Sequence, residues 1–127
     1  MEPKKSIAVV EDEIAISKLI TYVLESAGFH VRAIFDGGEA LEKIRENPPD
    51  LVLLDLMLPT ISGFELLSKL KGEPCLSKLP VIVLTCRGQD EDKDRAFRLG
   101  AIEYVTKRFS PTGLVAMLKS ILSSSIQ

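Results

Sequence analysis

Leu51-Val52-Leu53-Leu54-Asp55 is an unbroken apolar run closed by a carboxylate. A run this short, with no polar alternation, reads as a strand buried on both faces, the pattern of a parallel sheet. The carboxylate then stands at the strand's C-terminal edge, where open α/β sheets bind their ligands. Three other segments are built the same way. Ile7-Ala8-Val9-Val10 runs into Glu11-Asp12, Val81-Ile82-Val83-Leu84 into Thr85, and Tyr104-Val105-Thr106 into Lys107. Four apolar runs thus carry three acids, a hydroxyl and an amine toward one sheet edge.

Helical patterns fill the intervals. Ile16, Leu19, Ile20, Val23, Leu24 and Ala27 recur at three- and four-residue spacing and predict one apolar helix face. Gly28 ends that helix as its C′ residue. A second strand is predicted from His30 to Phe35. Asp36 follows as the N-cap of a helix carrying Ala40, Leu41 and Ile44, which Asn47-Pro48-Pro49-Asp50 breaks. Beyond Asp55, the turn-rich Leu58-Pro59-Thr60-Ile61-Ser62-Gly63 leads into a helix with Phe64, Leu66, Leu67 and Leu70. A fourth helix runs from about Asp90 to Leu99 and stops at Gly100. Its acidic start, Asp90-Glu91-Asp92, suits a helix N-terminus, and Arg95 and Arg98 on one side read as solvated. Ser110-Pro111 opens the fifth as N-cap and N1, with Leu114, Val115, Leu118, Ile121 and Leu122 facing inward. Five strands alternating with five helices predict an α/β fold: a three-layer, doubly wound, five-stranded parallel sheet. The flavodoxin-like order 2-1-3-4-5 puts the switch point between the first and third strands, where Glu11, Asp12 and Asp55 meet.

The 127 residues suit a single domain spanning 1–127, and a 46% hydrophobic content supplies its core. A net charge of -2 is not the basic balance of a nucleic-acid-binding domain. No apolar run approaches the roughly 20 residues that span a bilayer. Met1-Glu2-Pro3-Lys4-Lys5-Ser6 is not followed by the apolar stretch of a secretory signal. The expected setting is cytoplasmic, with no direct contact to nucleic acid or membrane. Cys75 and Cys86 flank the fourth strand, whose rise of about 3.3 Å per residue places them at opposite ends, as free thiols. His30, the sole histidine, starts an edge strand away from the acids. Ser123-Ser124-Ser125-Ile126-Gln127 reads as a frayed terminus or the start of a linker.

Three carboxylates within a few ångströms repel. Two unit charges 4 Å apart interact by about 4 kcal/mol at an effective dielectric of 20. Either one acid takes a proton or a cation sits among them. A hard divalent ion held by few protein oxygens suits Mg²⁺, or Mn²⁺ in its place. Asp55, alone at its strand end, is then the nucleophile that becomes an aspartyl phosphate. Lys107 can pair with phosphate oxygens and Thr85 can hydrogen-bond one. Each residue has a plainer reading by itself: Glu11 or Asp12 as a helix cap, Thr85 as a turn residue, Lys107 as a solvated charge. Their joint placement at four strand ends favours the phosphoryl chemistry. A phosphatase with an Asp nucleophile typically carries a second acid two residues on; here that residue is Met57, which argues against an enzyme of rapid turnover. A flavin carrier is disfavoured by the lack of Trp and the few loop aromatics.

On these residues the chain resembles the receiver domain of two-component response regulators over nearly its whole length. The matching segments are Ala8-Val9-Val10-Glu11-Asp12-Glu13, Leu53-Leu54-Asp55-Leu56-Met57-Leu58-Pro59 with Ser62-Gly63 following, Val83-Leu84-Thr85, and Gly100-Ala101 with Tyr104-Val105-Thr106-Lys107. The resemblance implies that a sensor histidine kinase or phosphotransfer protein donates a phosphoryl group to Asp55. It implies a metal held by Asp12, Asp55 and the backbone carbonyl of Met57, with Glu11 contributing through water. It implies that Thr85 moves toward the phosphoryl group and that Tyr104 changes rotamer behind it. The signal would reach the face of the fourth helix, fifth strand and fifth helix, which can also serve a homodimer. Thr112 and Gly113, however, stand where winged-helix-type regulators often carry charges. Such a domain is not an enzyme beyond self-phosphorylation from small donors and slow autodephosphorylation. It works either alone or ahead of an output domain beyond the C-terminus.

Three positions depart from the family pattern. Glu11 stands where many receivers carry Asp. Cys86 replaces a smaller residue; a thiol beside the phosphate would slow access, but a small buried side chain is the plainer expectation. Arg108 follows Lys107 where receivers usually have a proline joined by a cis peptide. A cis bond before a non-proline residue costs about 2.5–4 kcal/mol, so Lys107–Arg108 is expected to be trans, with the Phe109-Ser110 loop shifted. Two outcomes follow. Lys107 sits imperfectly and the chain is a phosphorylation-silent interaction module, or Lys107 is anchored by its strand and the loop absorbs the change.

Overall fold

The structure is a computed structural model and describes residues 4–86 and 89–124. The apolar runs form β1 (Ser6–Val10), β2 (His30–Ile34), β3 (Leu51–Leu54), β4 (Val81–Thr85) and β5 (Glu103–Thr106). The amphipathic stretches form α1 (Ile14–Ser26), α2 (Gly37–Glu46), α3 (Gly63–Gly72), α4 (Asp90–Arg98) and α5 (Pro111–Ser124). All paired strands are parallel, in the order β2-β1-β3-β4-β5. This is the doubly wound sheet expected from the alternation of patterns.

Side chains alternate across the sheet with a period of two, so each central strand feeds two cores. Ala8, Val10, Val52, Leu54, Val81 and Val83 face a cluster with Ile44 of α2, Leu66, Leu67 and Leu70 of α3 and Ala96 of α4. Ile7, Val9, Leu51, Leu53, Ile82 and Leu84 face a second cluster with Ile20 and Leu24 of α1 and Leu114, Leu118 and Leu122 of α5. All four residues of β3 are buried, which is why its sequence shows no alternation. Helix ends are closed by the expected groups. Asp36 accepts from the Gly38 N–H at 2.8 Å, and Ser110 Oγ accepts from the Gly113 N–H at 3.2 Å. Gly28, with φ of +98°, ends α1 in the left-handed region that favours glycine.

Several expectations are corrected. Leu19 is not part of the buried face of α1; it is 51% exposed. It lies about 100° around the helix from Ile20, at the flank of a stripe centred on Ile20 and Leu24. β2 stops at Ile34, and Phe35 beyond it is exposed. Ser123 and Ser124, read as fraying or linker, lie within α5, because Leu122 still packs into the second core. Residues 125–127 of that stretch, residues 1–3 of the segment read as no signal peptide, and residues 87–88 of the loop after Thr85 lie outside the described residues. Among the described residues no helix is long and apolar enough to cross a membrane.

Candidate functional site

Strand register assembles the site. Val10 of β1 pairs with Leu54 of β3, so the next residues, Glu11 and Asp55, leave the sheet side by side. The backbone keeps them there: the Asp55 N–H donates to the Val10 carbonyl at 3.0 Å and the Glu11 N–H to the Ile34 carbonyl at 3.1 Å. On the other side of β4, Thr85 pairs with Thr106, and the Lys107 N–H donates to the Thr85 carbonyl at 2.8 Å. That bond holds Lys107 one residue beyond the end of β5 and directs it over the edge of β4 and β3.

Oxygens of Glu11, Asp12 and Asp55 lie within 4.8 Å of one another. Glu11 and Asp55 are buried and Asp12 is half-buried. Asp55 Oδ1 accepts from the Met57 N–H at 3.0 Å. Asp55 Oδ2 is 3.2 Å from Lys107 Nζ, Glu11 Oε1 is 2.8 Å from it, and Glu13 Oε1 is 3.3 Å from it. The other Glu11 oxygen accepts from the Glu13 N–H at 3.0 Å. Burial pushes the Glu11 carboxyl up to about 7, with the Asp55 charge adding to the rise and the contacts with Lys107 and the Glu13 N–H opposing it. Burial alone would pull the Lys107 ammonium down. Its hydrogen bond to Glu11 and the charges of Asp55 and Glu11 outweigh burial and hold it above its ordinary range.

The donor set fits a hard cation. Three carboxylate oxygens converge from two adjacent strand ends, with no sulfur or imidazole among them. The site therefore combines a buried carboxylate, an all-oxygen cluster that could hold a metal, and a fixed ammonium. Together these can receive a phosphoryl group and neutralise its charge.

Every site residue expected from the sequence lies at or just beyond the C-terminal edge of the sheet, except that Tyr104 sits within β5. Tyr104 packs half-buried against the first core. Thr85 is fully buried at the end of β4. The Lys107–Arg108 bond is trans, since no cis peptide occurs among the described residues, and Lys107 still reaches Asp55. Strand anchoring, not displacement, is the outcome at that departure. Cys86 is exposed, not buried, because it lies past Thr85, the last residue of β4. Cys75 is likewise exposed, and both thiols are free.

Two residues gained roles that the sequence did not announce. Glu13, the N-cap of α1, uses its side chain on Lys107 and makes no capping bond. Gly63, buried at the start of α3, lies against the Asp55–Leu56 backbone. A Cβ there would meet Leu56 Cα and sit 2.5 Å from the Asp55 carbonyl oxygen. A glycine eight residues after an acid-ended strand is the only local signal of that approach, and it has no period to mark it.

Comparison with known proteins agrees with the geometry. Residues 7–119 match the response regulator receiver domain family. The chain is 47% identical over 122 residues to the phosphate regulon transcriptional regulatory protein PhoB of Rhizobium meliloti, covering 96% of this chain and 53% of that protein. It spans about half the length of the curated relatives it matches. Its fold is similar to the BeF3-activated N-terminal receiver domain of RstA from Klebsiella pneumoniae, with a TM-score of 0.87, 33% identity and coverage of 92% and 97% of the two chains. It is also similar to the phosphorylated cyanobacterial phytochrome response regulator RcpA, with a TM-score of 0.80, 34% identity and coverage of 94% and 91%.

Proposed function

The chain belongs to the response regulator receiver domain family, and from that membership we propose that Asp55 accepts a phosphoryl group from a sensor histidine kinase or phosphotransfer protein, in a reaction that needs Mg²⁺ or Mn²⁺. The observation that carries this reading is the setting of Asp55. Its carboxylate is 2% exposed, held by the Met57 N–H and Lys107, and grouped with Glu11 and Asp12. Receiver domains are signalling proteins and not classical enzymes, and here turnover is limited to self-phosphorylation from small donors and slow autodephosphorylation.

The residues divide the work. Asp55 attacks phosphorus with one carboxylate oxygen as the bond from phosphorus to the donor breaks. The Met57 N–H keeps the carboxylate oriented, which lowers the entropic part of the barrier. Asp12, Asp55 and the Met57 carbonyl would hold the metal, with Glu11 contributing through water. When bound, the ion offsets the charge of the phosphoryl oxygens. Lys107 pairs with a phosphoryl oxygen and Thr85 hydrogen-bonds another. Phosphorylation adds about -1.5 to -2 charges. The new acceptors draw Thr85 toward them, Tyr104 repacks behind it, and the face formed by α4, β5 and α5 changes shape.

Residues 1–127 act as one receiver domain in the cytoplasm. Similarity to transcriptional regulatory proteins about twice as long supports an output domain following this one, with the α4–β5–α5 face available to it or to a second copy. The silent-module reading needed Lys107 to be misplaced by Arg108, and the 3.2 Å contact with Asp55 argues against that. Incubation with Mg²⁺ and acetyl phosphate, followed by intact mass measurement, tests the proposal. A gain of one phosphoryl group that is absent in Asp55→Ala supports it; no gain with any donor refutes it.

A further inference from the structure

Next in the chain to Lys107 stands a cation with no assigned task. Arg108 is exposed, and its guanidinium forms no ion pair with an acid among the described residues. With Cys86, Thr106 and Lys107 it lines a cavity of about 470 Å³. Lys107, which shares that cavity, is already committed: its ammonium lies within 3.3 Å of Glu11, Glu13 and Asp55. Three carboxyl groups thus share that ammonium, and Asp12 lies beside two of them. An incoming phosphodonor, itself an anion, therefore approaches an acid-rich site where the Lys107 ammonium is already shared. A guanidinium is always charged and offers a planar fork of donors that matches phosphate oxygens. A proline at this position has neither property.

We propose that Arg108 is a specificity-determining residue for small phosphodonors, pairing with the donor's phosphate from the cavity it shares with Lys107 and favouring dianionic acyl phosphates over less charged donors. The proposal rests on Asp55 being the phosphoacceptor. With acetyl phosphate, an Asp55 oxygen bonds to phosphorus while the bond from phosphorus to the acetate oxygen breaks, and acetate leaves with the electron pair. Arg108 makes no bond in that step; it raises the local concentration of the dianion and orients it. Charge at a rim acts mainly on association and is screened by salt. The effect must therefore depend on both donor charge and ionic strength.

The test compares the unmodified chain with Arg108→Gln and Arg108→Lys, all with Mg²⁺, measuring phosphorylation rates by intact mass. Acetyl phosphate and the less charged phosphoramidate are each used at about 0.02 M and 0.5 M salt. Arg108→Gln is expected to slow acetyl phosphate about five-fold at low salt and phosphoramidate less than about two-fold. The gap should close at high salt, and Arg108→Lys should recover part of the rate. A change that is equal for both donors and unaffected by salt would mark a merely structural role and overturn the proposal, as would no change at all. If the unmodified chain is phosphorylated by either donor, the assignment of Asp55 survives such a result. If it is phosphorylated by neither, both fall.

Discussion

Replacing Gly63 with alanine adds one methyl group, and the structure places that group inside occupied space. The new Cβ would clash with Leu56 Cα and lie 2.5 Å from the Asp55 carbonyl oxygen. Both are backbone atoms, so no side chain can rotate away. Reaching the 3.4 Å at which ordinary contact begins requires the start of α3 and the β3 exit to part by roughly 0.9 Å. The Gly63 N–H donates to the Leu56 carbonyl at 3.2 Å, and that bond is strained by the same separation. Overpacking of this kind costs about 1–3 kcal/mol, which urea denaturation would read as a lower midpoint at unchanged slope. The functional cost should be larger in proportion. A displacement of about 1 Å at a reacting group can lower a rate on the order of 100-fold, and the displaced segment carries Asp55, the proposed phosphoacceptor, and the Met57 N–H that its carboxylate accepts from. The Gly63→Ala protein, assayed folded with saturating Mg²⁺ and acetyl phosphate, should therefore phosphorylate at least about ten-fold more slowly. A variant as stable and as fast as the unmodified chain would refute the claim that Gly63 is needed for this close approach.

Three further outcomes are expected. Lys107→Met leaves Glu11 and Asp55 buried without their ammonium, so at pH 8 it should destabilise the metal-free protein by about 3–5 kcal/mol, with Mg²⁺ restoring part of the loss in a thermal melt. The Glu11 carboxyl is raised from 4.5 to about 7 in the folded protein, so the native state holds the extra proton; its stabilisation is complete below about pH 4.5 and is lost as pH rises through 7, a span on the order of 1–3 kcal/mol. Denaturation of the metal-free chain from pH 5 to 8 should show that decline, and Glu11→Gln should flatten it. Asp36→Ala removes the 2.8 Å acceptor of the Gly38 N–H and should cost about 1 kcal/mol while phosphorylation of Asp55 keeps its rate, since Asp36 caps α2 and touches none of the acids.

Strand and helix identity was legible because burial on both faces leaves a plain mark: β1, β3 and β4 are continuous apolar runs, and their terminal polar residues stand out against them. The acids, hydroxyl and amine could be located for the same reason. Leu19 misled because a helix stripe has soft edges, and a residue at its flank is covered only if a neighbour lies there. Cys86 misled because one residue decides whether a side chain ends a strand inside the core or starts a loop outside it. Glu13 and Gly63 escaped because their roles come from partners far along the chain, Lys107 in one case and the Asp55–Leu56 backbone in the other.

Periodicity and end-of-strand chemistry belong to the chain itself, since they follow from which side chains avoid water and at what interval. They were enough to specify a doubly wound parallel sheet and to nominate Glu11, Asp12, Asp55, Thr85 and Lys107. Distances between those groups arise only from register. Pairing Val10 with Leu54 and Thr85 with Thr106 brings together charges separated by dozens of residues, and that pairing is settled by how two cores pack and not by any local preference. The shared ammonium, the raised Glu11 carboxyl and the exposed guanidinium of Arg108 are consequences of that packing, because Coulomb energy and desolvation depend on separation in space.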